Sequence, residues 1–183
     1  MPEISLSRRR FIKAGLISLC GLWIPFPARS FAATPPNGRC IRLYNTHTDE
    51  HLDICYRAKG GYLSEAFSSI NYILRDHRTG EVKPIEPRLV DFLHTIGCRI
   101  GGTPCFHIIS GYRSPLTNAR LRKKCGGVAK KSRHMLGQAV DIRLPDVQTA
   151  ELRDIACHLR RGGVGYYAKS DFIHIDIGPV RTW

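Results

Sequence analysis

Long apolar runs are missing from this 183-residue chain. The longest, Ala14 to Phe26, is short and interrupted by Pro25, which excludes a stable membrane span. No internal repeat and no long linker is visible, so the length fits one compact domain with a short extension. No C-x-x-C pair occurs, which removes a cysteine-built zinc motif. Acidic residues are also scarce, 15 against 28 lysines and arginines, for a formal charge of +13. The first 33 residues hold five basic residues and one acidic residue, so without them the charge is still +9. A chain this basic suits an anionic partner. Its basic residues are scattered, and no nucleic-acid-binding motif accompanies them, so nucleic acid is not the partner expected.

What is present begins with an address. Ser7-Arg8-Arg9-Arg10-Phe11-Ile12-Lys13 sets paired arginines, an aromatic residue and a lysine before the short apolar run, the form of a twin-arginine export signal. Cleavage after Ala32 puts Ser30 and Ala32 at the two small-residue positions. The expected division is therefore a signal peptide over 1–32 and one domain over 33–183, exported by the twin-arginine machinery to the periplasm of a Gram-negative-type bacterium. No membrane span remains after processing, and a monomer is expected. Peptidoglycan, an anionic polymer with free carboxylates, fits both the charge and the address.

Six cysteines remain after such processing: Cys40, Cys55, Cys98, Cys105, Cys125 and Cys157. An even count in an exported protein permits disulfides, with fifteen possible pairings. Cys40 and Cys55 flank a hairpin and are placed to bridge it, and Cys98 with Cys105 to close a glycine-rich loop. Twin-arginine substrates cross already folded, so buried thiols are the competing reading.

Local patterns place the elements. Ile41–Tyr44 and His51–Tyr56 alternate as a β-hairpin around residues 45–50, with His47 and His51 read as solvated turn residues. Leu63 to Leu74 carries a helical apolar stripe, and Glu86-Pro87 opens a second helix with proline in its first turn. His94 on that helix is read as a packing or surface residue. Phe106–Ser110 is β-branched and apolar, a buried strand delivering Gly111-Tyr112-Arg113 to its end. A short helix over 117–124, another over 146–160 and a hairpin of 164–167 with 172–177 complete the chain. Strands and segregated helices imply an α+β domain, an antiparallel sheet with helices on one side.

The chemistry gathers in Ser132-Arg133-His134-Met135-Leu136-Gly137-Gln138-Ala139-Val140-Asp141, a loop running into a strand. Period two puts Ala139 and Asp141 on one face. In Phe172-Ile173-His174-Ile175-Asp176-Ile177 the same period aims His174 and Asp176 to one side. His134, Asp141 and His174 then make three ligands, the number a catalytic zinc takes while a fourth position stays open.

Ser132-x-His134-x-x-Gly137-x-Ala139-x-Asp141, followed by His174, resembles the zinc peptidases grouped as lysostaphin, D-Ala-D-Ala metallopeptidases and sonic hedgehog. Ser110-Gly111-Tyr112-Arg113-Ser114 is similar to that group's upstream arginine motif, and Gly162–Tyr167 with Gly178–Trp183 resembles its murein endopeptidases. The resemblance implies a hedgehog/D-Ala-D-Ala-peptidase-like fold, Zn2+ on His134, Asp141 and His174, and hydrolysis of peptidoglycan cross-links. It also implies that Arg113 faces the substrate with Ser132 beside it. Where relatives carry His-x-His this chain has Asp176, the first choice for general base, with Asp171 second. Basic Ala129-Lys130-Lys131 is placed to hold acidic stem peptide or simply to be solvated. A carboxypeptidase trimming terminal D-alanine and an inactive wall-binding module remain alternatives.

Overall fold

The computed structural model describes residues 38–124 and 127–183. The export signal expected over 1–32, the start at Ala33 and Cys125 all lie outside the described residues.

Alternation around residues 45–50 builds a hairpin, β1 (Arg39–Asn45) against β2 (Glu50–Ala58). Its register pairs Ile41 with Ile54 and Leu43 with Leu52, so the middle of one face is apolar. Cys40 stands opposite Cys55, and the two form the expected disulfide. The second expected bridge is absent: Cys98 is exposed, with its sulfur toward His94, and Cys105 begins a strand as a separate thiol.

A two-residue strand, β3 (Gly61–Tyr62), turns back to pair antiparallel with β2 and leads into α1 (Ser64–Ile73), whose buried stripe is Ala66, Ile70 and Ile73. Next comes α2 (Pro87–Ile100), started by proline, which has no donor to lose there, and stopped at Gly101 in the left-handed region. These two helices form the crossover that lets β4 (Cys105–Ser110) return parallel to β1. After α3 (Pro115–Lys124) the chain enters β5 (Ala139–Arg143), α4 (Thr149–His158) and the hairpin of β6 (Gly163–Tyr167) with β7 (Phe172–Asp176), then β8 (Arg181–Thr182). The fourth helix is shorter than the stripe over 146–160 predicts, because an isolated bridge between Leu144 and Val147 occupies the residues before it.

The sheet has eight strands in the order β3-β2-β1-β4-β5-β7-β6-β8. It is mixed, which corrects the expected antiparallel sheet: β1 with β4 and β6 with β8 run parallel. The α+β class stands. Ile41, Leu43, Phe106, Ile108, Val140, Ile142, Ile173 and Ile175 form one core with the buried stripes of α1, α2 and α4. In α3 the buried residues are Thr117 and Asn118, and this polar helix adds nothing to that core. No helix among the described residues is long and apolar enough to cross a membrane.

Candidate metal centre

Cross-strand register assembles a row of polar residues on the face opposite the core. Ser110 pairs with Asp141, Asp141 with His174, and His174 with Gly165. Three strands thus deliver in one line what the sequence separates by 64 residues at most. His134 joins them from a single 3-10 turn, Arg133–Leu136, just before β5. That turn is fixed at both ends. Ser132 Oγ accepts the His134 N–H at its start, and Gly137 at its end has a φ of +66°. A Cβ at 137 would also run into the Pro84 carbonyl oxygen, so only glycine fits on two counts.

The inner atoms form a triangle. His134 Nε2 lies 3.1 Å from His174 Nδ1 and 3.2 Å from Asp141 Oδ1, and His174 Nδ1 lies 2.9 Å from Asp141 Oδ1. All three residues are buried or nearly so. The outer atoms decide what the triangle holds. His134 Nδ1 is 2.7 Å from the Gly111 carbonyl, which can only accept, so this nitrogen carries the ring proton. His174 Nε2 is 3.0 Å from Asp176 Oδ2 and donates to it in the same way. Both inner nitrogens of the neutral rings therefore point lone pairs at each other and at a carboxylate oxygen. Such an arrangement needs a proton or a cation at its centre.

The ionisation of the three groups follows the same lines. Burial works against ionisation of Asp141, but His134, His174 and Arg113 outweigh it and hold the carboxyl well below the usual range. Burial keeps His134 more readily neutral than an ordinary histidine. His174 is also disfavoured as a cation by burial, yet the carboxylates of Asp141 and Asp176 on either side raise its pKa overall. A proton and a metal ion would compete for the same inner lone pairs.

The donor set fits zinc. Tetrahedral zinc at about 2.0–2.1 Å from its ligands spaces their donor atoms about 3.3–3.4 Å apart, a few tenths of an ångström beyond the triangle's edges. The donors of His134, Asp141 and His174 all lie within 4.8 Å of one another and are the one such group among the described residues.

Several expected roles change. Asp176 is fully buried and points away from the triangle, behind the His174 ring. Its oxygens accept from Arg181 Nη2 at 2.7 Å, Arg181 Nη1 at 3.2 Å and Gly178 N–H at 2.8 Å, with Arg133 Nε 3.5 Å away. Burial alone would raise its pKa, but His174, Arg181 and the Gly178 N–H hold it low. A carboxylate so enclosed is not placed as a base. Asp171 is exposed and engages Thr149 and Arg143 rather than the triangle. Ser132 is a buried cap, not a substrate contact, because its hydroxyl is committed to the turn holding His134. Arg113 does face the site, but its Nη2 pairs with Asp141 Oδ2 while its Nε donates to Ser110 Oγ at 2.8 Å. Reading the sequence alone missed Arg133 and Arg181, the cations that neutralise Asp176. No local signal marks them, since both reach it only through the fold. His47 stacks on His77 and His51 on Tyr44, neither contributing an atom to the triangle, and His94 packs near Tyr56.

A mixed sheet that turns one face to a core and the other to two imidazoles, a carboxylate and a guanidinium is the frame of a metal-dependent hydrolase. The chain belongs to the family described as peptidoglycan L,D-endopeptidase MepK, whose model matches residues 33–183. It is 38% identical over 183 residues to the peptidoglycan L,D-endopeptidase MepK of Escherichia coli K12, covering all of both chains. It is 35% identical to the probable peptidoglycan L,D-endopeptidase MepK of Haemophilus influenzae, covering all of this chain and 98% of that one. No solved structure matches the chain significantly.

Proposed function

We propose that this protein hydrolyses peptide cross-links of peptidoglycan, of the L,D type its relatives are named for, with zinc held by His134, Asp141 and His174. The observation that carries this reading is the convergence of three lone-pair donors, each fixed from behind, in a chain of this family. Zinc bound there would supply Lewis-acid polarisation of the scissile carbonyl and make water nucleophilic near neutral pH. The chain's own groups do the positioning. Gly111 O holds the His134 tautomer, Asp176 holds that of His174, and Arg113 with Ser110 holds the carboxylate of Asp141. Arg181 and Arg133 keep Asp176 ionised, so it accepts the His174 proton rather than giving one back. The likeness to hedgehog and D-Ala-D-Ala peptidase folds belongs to the same reading.

The test is incubation with purified L,D-cross-linked muropeptide dimers, with and without a chelator, followed by mass analysis. Conversion to monomers that stops on chelation and returns with zinc is expected. Loss of terminal alanine alone would replace the reading by a carboxypeptidase, and binding without cleavage by a wall-binding module.

We also propose residues 1–32 as a twin-arginine export signal that places the domain starting at Ala33 in the periplasm, motivated by Arg8-Arg9 before Phe11. Changing both arginines to lysine should leave precursor in the cytoplasm; unimpaired export would discard the route.

A further inference from the structure

The polar row that runs Ser110, Asp141, His174, Gly165 has one more member. Trp183 N–H donates to the Val164 carbonyl at 3.2 Å, and its own carbonyl accepts from Tyr166 N–H at 2.9 Å. Trp183 therefore stands beside Gly165 in the parallel ladder, one strand beyond the residue paired with His174. Position 165 has to be glycine for the indole to lie where it does, because a Cβ there would sit 2.6–2.8 Å from Cε2, Cζ2 and Nε1 of the ring. Across that gap the indole reaches His174, with ring centroids 5.3 Å apart. It is held in place on its other sides. Nε1 donates to Tyr167 Oη at 3.1 Å, and the Arg181 guanidinium lies 4.9 Å from the ring centroid.

So much fixing leaves the ring half in water, at 50% exposure. Tyr167, itself 38% exposed and stacked on Phe172 at 4.6 Å, prolongs the same wall. A large apolar ring fixed at the rim of a reacting centre and left half exposed is prepared to be covered by an apolar group.

We propose that Trp183 is a substrate-contacting residue that packs against the aliphatic part of a stem-peptide residue on one side of the scissile bond. This rests on the peptidase reading above. It predicts a contact used in binding, since the indole donates nothing to the metal triangle and has no proton at the reacting atoms.

The experiment uses the full chain with Trp23→Phe, which leaves Trp183 as the sole tryptophan. Trp183→Ala should raise KM for L,D-cross-linked dimers about tenfold, the equivalent of some tens of square ångströms of lost apolar burial. Its kcat should stay within about threefold and its zinc content unchanged. Trp183→Phe should recover most of the KM, and if the alanine variant does not fold, Trp183→Gln takes its place: it should raise KM in the same way, and an unchanged KM there overturns the proposal. Trp183 emission should shift when dimers are added to chelated protein, where no turnover occurs. Unchanged KM in Trp183→Ala, or loss of zinc together with activity, would reduce the ring to a prop for His174. If the parent cleaves no dimer, the proposed function fails separately; the emission shift then decides Trp183 alone, and no shift at saturating dimer removes it.

Discussion

Two buried aspartates, one on α2 and one on β5, differ in what surrounds them. Asp91 on α2 accepts from Arg39 Nη1 at 2.8 Å, Tyr56 Oη at 2.8 Å and Tyr62 Oη at 2.7 Å, with Arg57 at 3.7 Å. Every neighbour is a donor. Burial alone would raise the Asp91 pKa, but the tyrosine hydroxyls and Arg39 outweigh it and lower it. Asp141 also has a donor, Arg113, on one oxygen, but its other oxygen faces the inner nitrogens of two histidines whose ring protons are spent elsewhere. Both carboxyls are buried and both have lowered pKa values, so neither property separates a structural node from a functional one. The balance of donors and acceptors does. Around Asp91 it closes within the protein, and around Asp141 it closes only with something added.

The largest effect follows from taking away one side of the triangle. His134→Ala should reduce zinc from one per chain to near none and abolish cleavage, and chelation, which should lower the melting temperature of the parent, should leave this variant's unchanged. Elemental analysis with calorimetry checks both. Zinc retained at one per chain would break the contrast, since the triangle would then not be the metal centre.

Asp91→Ala tests the other member. It leaves a buried Tyr56 hydroxyl and Arg39 without their acceptor, and should cost about 3 kcal/mol in denaturant unfolding while zinc content and kcat hold. A variant that lost zinc as well would show the two sites to be coupled.

Between these sits Asp176→Asn, which touches the metal only through His174. Zinc affinity, read by competition with a chromogenic chelator, should fall about 10- to 100-fold with the fold retained. An unchanged affinity would return Asp176 to the role of base or bystander.

The smallest effect is a slope. A raised His174 pKa means the proton competes with metal for Nδ1, so zinc affinity should fall as pH drops, by up to about tenfold per pH unit below that pKa. The Asp91 contribution runs on its own axis: its folded pKa is lowered, so it is fully present above about pH 4 and is lost as the pH falls through the folded value. Asp91→Asn should flatten the acid limb of stability and leave the zinc slope as it was.

What could be read from residue order was whatever a single segment dictates. The first hairpin, the stripes of α1 and α2, the proline start of α2 and the strand at Phe106 follow from periods of two and 3.6 and from backbone preferences that act within a few residues. The identities of His134, Asp141 and His174 were legible too, because an imidazole and a carboxylate across a glycine, with a second imidazole on an alternating strand, is a pattern with few other uses. Even the Cys40–Cys55 bridge was within reach, since a hairpin's register is set by its own turn.

Tertiary structure decided the rest, for one physical reason: which strands become neighbours is settled by burying one shared core, a sum over the whole chain that no window contains. That sum made β1 and β4 parallel, lined up Ser110, Asp141, His174 and Gly165, and brought Arg133 and Arg181 to Asp176. It turned Asp176 from the expected base into the group behind a histidine, because the same alternation that puts residues 174 and 176 on one face says nothing of what stands opposite each. It also closed the row with Trp183, a residue whose place beside the site depends on a glycine 18 positions earlier.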